Sequence, residues 1–147
     1  MKSSTASEPL FVDTWGWLVL ANDRDPSFSA VAGLRRDYAG KGQLWVTSDY
    51  VLDETITRLV AGTPFVKAQQ FCDAIFESIK LGLLVVEPIT QERFQRAYKM
   101  RLRYRDKPRV SFTDLTSFTV MRELGIHHVL TADAHFQQAG LGFHRLP

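Results

Sequence analysis

Cysteine is nearly absent from the chain: Cys72 stands alone in 147 residues. That excludes an internal disulfide and any cysteine-built zinc cluster, suits a reducing cytoplasm, and leaves Cys72 as a small core residue. No apolar run approaches the roughly 18 residues of a membrane span. The opening MKSSTASE lacks the apolar segment of a secretory signal, so a soluble cytoplasmic protein is expected. The glycine-rich phosphate loops G-x-x-x-x-G-K-S/T and G-x-G-x-x-G are missing too. Histidine is sparse, four in all. None completes a Ser-His-Asp set, His127 and His128 read as turn residues, and only His135, beside Asp133, is placed to touch a substrate.

What is present suffices for one core. Hydrophobic residues make up 45% of the chain and no linker, repeat or low-complexity tract divides it. Residues 9–147 are therefore expected to form one domain behind a flexible tail, residues 1–8. Strands are predicted at 10–12, 44–48, 83–88, 128–131 and 142–146. Helices over 14–21, 28–38, 50–61, 64–80, 91–104, 112–124 and 134–139 fill the intervals, with Gly62 and Gly125 as stops and Thr63 and Thr90 as caps. LLVVEP shows no alternation, the mark of a strand covered on both faces. Strands joined through helices require right-handed crossovers. The fold class is thus α/β, a three-layer α/β/α sandwich around a mostly parallel five-stranded sheet. In such sheets the ligand crevice lies beyond the carboxyl ends of the strands, where strand order reverses.

Acids stand at those strand ends. Asp13 closes the first strand in PLFVDTWGWL and Asp133 follows the fourth in VLTADAHF. Each is either a cap for the helix that follows or a functional carboxylate, and their matching positions favour the second reading. Asp114 in SFTDLTSFTVM is out of pattern, because it shares a helical stripe with Phe118 and Met121, about 40° and −20° away at 100° per residue. A charge on an apolar face must be paired, metal-bound or held by the helix N-terminus. Glu54 lies opposite the Leu52, Ile56, Leu59 and Val60 stripe and in line with Arg58, an ordinary solvated pair when taken alone. Four clustered carboxylates would form a site for hard divalent ions such as Mg²⁺ or Mn²⁺, which activate water and steady the leaving oxygen of a phosphodiester.

Positive charge is concentrated in one segment. Arg93, Arg96, Lys99, Arg101, Arg103, Arg105, Lys107 and Arg109 face Asp106 alone, so that stretch carries +7 of a chain total of +2 and the remainder carries −5. Such asymmetry indicates an anionic partner met by one surface. Phe94, Tyr98 and Tyr104 interleave with the charges, either to stack on bases or to face the core.

The pattern resembles the PIN domain family of metal-dependent ribonucleases, which includes the VapC toxins of toxin–antitoxin pairs. FVDTWGWLVLANDRDP resembles its opening motif, TSDYVLDETITRL the second, SFTDLTSFTVMRELG the third and VLTADAHF the fourth. The resemblance covers nearly the whole chain. It implies Asp13, Glu54, Asp114 and Asp133 as catalytic acids and ligands of Mg²⁺ or Mn²⁺, with Thr131 as a supporting hydroxyl. It implies RNA as substrate, the basic stripe Arg93–Arg109 as its binding surface with Arg58 and Arg122 as near-site helpers, a cognate antitoxin and a homodimer. Trp15 and Trp17 are assigned to core or dimer interface. Some members carry a further acid one turn after the third Asp, where this chain has Thr116, Ser117 and Phe118, so one well-held ion is expected, with a second arriving with substrate. A catalytically silent RNA-binding or protein-interaction module on the same fold is the alternative.

Overall fold

Three consecutive apolar residues form β1 (Leu10–Val12), buried along its whole length, as a strand without alternation must be when covered on both faces. This is seen in a computed structural model that describes residues 8–147. The tail expected over residues 1–8 lies outside the described residues except for Glu8, whose carboxylate accepts from the His127 amide and pairs with the His127 and His128 rings.

On either side of β1 lie β2 (Trp45–Ser48) and β4 (His128–Leu130), with β3 (Leu84–Glu87) beyond β2 and β5 (His144–Leu146) beyond β4. All four pairings are parallel, and Val12 lies level with Leu130. The chain therefore builds outward from β1 to β3, then crosses back over β1 to start again at β4. The gap between β1 and β4 is the switch point at which crevices form.

The connections are α1 (Thr14–Leu20) and α2 (Phe28–Gly40) before β2, α3 (Asp49–Gly62) and α4 (Phe65–Lys80) before β3, α5 (Gln91–Arg103) and α6 (Phe112–Leu124) before β4, and α7 (His135–Gln138) before β5. Right-handed crossovers in opposite directions set α1 to α4 on one face and α5 to α7 on the other. The five parallel strands and seven helices among the described residues are the predicted three-layer sandwich.

Helix starts follow side-chain caps. Ser48, Thr90 and Ser111 accept from the amides of Val51, Arg93 and Asp114, each three residues on. Gly125 ends α6 in the left-handed region at φ 68°, which a residue without Cβ adopts freely. Thr63 does not cap as expected: it is the extended link after α3, and α4 follows Pro64 with no side-chain cap bond. Cys72 is half-buried on α4 rather than a core residue.

Close approach at the switch point requires Gly16. A Cβ there would stand 2.8 Å from Leu130 Cγ and 3.1 Å from Val12, and both neighbours are fully buried. Gly16→Ala will therefore destabilise the fold by about 1–3 kcal/mol despite its higher helix propensity, a loss readable as a lowered urea midpoint. An unchanged midpoint would show that α1 can lift off the sheet at no cost.

Candidate active site

The carboxyl ends of β1 and β4 carry the first and fourth acids into one crevice of about 410 Å³, whose walls also hold Glu54 and Asp114. Asp13 stands just past β1, its amide donating to the Leu130 carbonyl at 3.1 Å. It precedes α1 but makes no side-chain cap bond. Its Oδ2 instead accepts from Thr131 Oγ1 at 2.8 Å, and the same hydroxyl accepts from the Asp133 amide at 3.0 Å. One buried threonine thus ties both strand ends together.

Asp114 and Ser111 form half of a capping box. The Ser111 hydroxyl takes the Asp114 amide, which leaves the Asp114 carboxylate turned into the crevice, where it is 7% exposed and 3.6 Å from His135 Nδ1. The sequence S-x-x-D is the usual signal for such a box; it identifies Ser111, which the sequence reading passed over. Asp133 Oδ1 accepts from the His135 amide at 2.8 Å and lies 3.0 Å from the ring Nδ1. Glu54 arrives from α3, which packs against α6. It accepts from Thr14 Oγ1 at 3.2 Å and lies 3.8 Å from Arg58.

Burial raises the Asp13 carboxyl to about 6, offset in part by the Thr131 hydroxyl and the Thr14 amide and reinforced by Glu54 and Asp133. Asp114 is raised further, to about 8, first by burial and then by the Asp13 and Asp133 charges. Asp114 therefore keeps its proton at neutrality, and Asp13 holds one only below about 6, unless a cation neutralises the cluster.

Asp114, Asp133 and His135 place three ligand atoms within 4.8 Å of one another. His135 Nδ1 is buried with no well-directed hydrogen bond, so an imidazole nitrogen is left facing two carboxylates. Oxygen donors with one imidazole fit a divalent ion such as Mn²⁺, and the carboxylates alone fit Mg²⁺. Asp13 and Glu54 lie outside that tight group of ligand atoms and line the same crevice beside it. Ser117, one of the three residues that stand where some members carry a further acid, is buried and its hydroxyl has no partner among the described residues.

The basic stripe does not form one surface. Arg93 is buried and holds Glu87 at 2.9 Å, Glu123 at 3.1 Å and the Pro88 carbonyl, so it is a structural cation and not an RNA contact. Arg101 is likewise taken up, donating to the Val110, Tyr104 and Lys107 carbonyls that shape the α5–α6 loop. Lys107 reaches the Gln138 carbonyl. Arg109 lines the crevice with Arg58, Arg105 is exposed in the loop, and Arg96, Lys99 and Arg103 line a separate groove that also receives Arg122. Arg122 is therefore no near-site helper. Of the tryptophans, Trp17 packs against Trp45 in the core, whereas Trp15 is half-buried in the crevice wall. The aromatic residues of the stripe divide as well: Phe94 rests on Phe112, Tyr104 donates to the Ala139 carbonyl, and Tyr98 is exposed.

Comparison with known proteins identifies the family and the fold. The PIN domain family model matches residues 10–141. The 23S rRNA-specific endonuclease VapC20 of Mycobacterium tuberculosis is 33% identical over 132 residues, 89% of this chain and 94% of that protein. The crystal structure of VapC20, a sarcin-ricin loop cleaving toxin, superposes with a TM-score of 0.73 at 32% identity, covering 89% of this chain and 95% of that one. VapBC2 from Rickettsia felis, solved bound to a DNA fragment from its promoter, shares the fold at 13% identity with a TM-score of 0.73, over 95% of this chain and 99% of that one. With the acids of all four motifs lining one crevice and the family model spanning nearly every element, the chain belongs to the PIN domain family.

Proposed function

We propose that the protein is a divalent-metal-dependent endoribonuclease and the toxin of a toxin–antitoxin pair, acting in the cytoplasm on ribosomal RNA. The observation that carries this is the convergence of Asp13, Glu54, Asp114 and Asp133 on the crevice at the β1–β4 switch point, in a chain one-third identical to a 23S rRNA endonuclease. Asp114, Asp133 and His135 would hold Mg²⁺ or Mn²⁺ with Asp13 alongside, and the bound ion would supply a neutralising charge, an activated water and support for the leaving oxygen.

The chain's own groups do the rest. Thr131 fixes the Asp13 carboxylate and the Asp133 backbone. Glu54, with a side chain 43% exposed, is the acid best placed to take a proton from the attacking water. Arg58 and Arg109 receive phosphates flanking the scissile bond, and the Trp15 ring offers a stacking face. An antitoxin would mask this crevice. Val60 at the end of α3 with Phe65 and Val66 at the start of α4 form an exposed apolar corner that supports a homodimer.

Purified protein incubated with 23S rRNA and Mn²⁺ is expected to make a discrete cut, mapped by primer extension and lost on chelation. Uniform degradation, or none, contradicts the proposal. Thr131→Val keeps the shape but removes the hydroxyl between Asp13 and Asp133. It will lower the cleavage rate about 10–100-fold while costing about 1–2 kcal/mol of stability. Single-turnover rates and thermal melts check both.

A further inference from the structure

The groove between α5 and α6 has no role in the chemistry above, yet it holds about 470 Å³. Arg96, Lys99 and Arg103 on α5 and Arg122 on α6 surround a floor of Met100 and Thr119. We infer that this groove is a second RNA-phosphate site, separate from the acidic crevice, which holds the backbone of a folded RNA beyond the cut. The inference rests on the ribonuclease reading and names where its substrate is gripped.

Positions 96, 99 and 103 are spaced i, i+3 and i+7, which sets their side chains on one face of α5 over about 10 Å of axis. Arg122 faces them across the groove. Lys99, Arg103 and Arg122 are exposed and make no ion pair among the described residues. The one acid in the lining, Glu123, has its oxygens taken by Arg93 at 3.1 and 3.2 Å and by Arg96 at 3.2 Å. It therefore does not repel an incoming anion. Three uncommitted cations in an open groove form a site for successive phosphates rather than for one small anion.

The site is distinct from the crevice. Arg122 lies eight residues past Asp114 on α6, about 12 Å along the axis and about 80° around it at 100° per residue. No single phosphate spans both. The two are nevertheless joined, because Arg103 ends α5 and the six-residue step to Arg109 passes Arg105 before reaching the crevice wall, a reach of at most about 20 Å. A polyanion leaving the crevice at Arg109 meets the exposed Arg105 on the way to Arg103, which favours RNA over an acidic protein segment as the occupant. Such a site contributes affinity and salt dependence without reading bases.

The test compares Lys99→Ala/Arg103→Ala/Arg122→Ala with its parent, both in an Asp13→Asn background so that binding is read without cleavage. The probes are a folded fluorescent fragment of 23S rRNA, a six-nucleotide single-stranded RNA and poly-glutamate. The slope of log affinity against log salt for the folded RNA should shrink by about 2 to 3, as loss of three phosphate contacts requires, and its affinity at low salt should fall at least tenfold. The hexanucleotide should bind both proteins within twofold. With Asp13 intact, the triple variant should raise KM on folded RNA and leave kcat unchanged. The charge-keeping Lys99→Arg/Arg103→Lys/Arg122→Lys should restore the slope, which separates charge from folding. Equal slopes for the alanine variant and its parent overturn the inference, and unchanged RNA binding with lost poly-glutamate binding assigns the groove to a protein partner instead. Failure here leaves the ribonuclease reading standing, and absence of cleavage leaves the binding result intact.

Discussion

Asp114→Asn will reduce RNA cleavage at least about 10³-fold and, in cation-free buffer at pH 8, will make the protein more stable. The two effects have one cause. Asp114 is buried against Asp13 and Asp133 and its carboxyl is raised to about 8, so ionising it in the empty site is costly. Asparagine keeps the shape and removes that cost, and the midpoint of thermal unfolding should rise by about 5 °C or more. The same change deletes an oxygen ligand of the proposed cation and a negative charge that balances it, as expected for a site that acts through its ion. Loss of activity with lowered stability would instead mark Asp114 as a structural residue. Unaltered activity would remove it from the mechanism.

A second large effect concerns pH and cation together. For Asp13 and Asp114 the folded protein holds protons more tightly than the unfolded chain, whose carboxyls titrate near 3.8. Between those values the folded state binds more protons, so stability falls as pH rises from about 4 through 8 and levels off above that. The Asp13 shift alone corresponds to about 3 kcal/mol, at 1.4 kcal/mol for each pH unit between 3.8 and 6. Millimolar Mn²⁺ should cancel most of this fall by stabilising the ionised cluster, so the melting temperature gained on adding cation should be small at pH 5 and largest near pH 8. His135→Ala should weaken the Mn²⁺ response more than the Mg²⁺ response, since imidazole suits the former. Calorimetric melts over that range with and without cation decide it, and a cation effect independent of pH would place the ion elsewhere.

The sheet was legible because its signals are local. Unbroken apolar triplets such as Leu10–Val12, the hydroxyl cap at Thr90, and helical stripes such as Leu52–Ile56–Leu59 all act within a few residues. The acids were legible from topology, since Asp13 and Asp133 follow parallel strands that turned out to be neighbours. What stayed hidden depends on distances between segments. His135, a sequence neighbour of Asp133, meets Asp114 only because α7 folds back against α6. Arg93 reads as one more cation in a basic stripe, and only its burial against Glu87 and Glu123 shows it to be a structural pin. Arg122 stands in the third motif, yet the helical rotation between it and Asp114 carries it into a different groove. A one-dimensional charge count cannot separate these three fates, because each is fixed by which helix face meets which neighbour.

The central claim is that the carboxylates at the β1–β4 switch point cleave RNA with the help of a divalent ion. It is tested most directly by single-turnover cleavage of 23S rRNA by wild-type protein and Asp13→Asn side by side, each with Mn²⁺ and with chelator. Cleavage at a discrete position by the wild type with Mn²⁺ alone, and no detectable cleavage in the other three reactions, is the predicted result. Equal cleavage by Asp13→Asn, or wild-type cleavage that survives chelation, would contradict it.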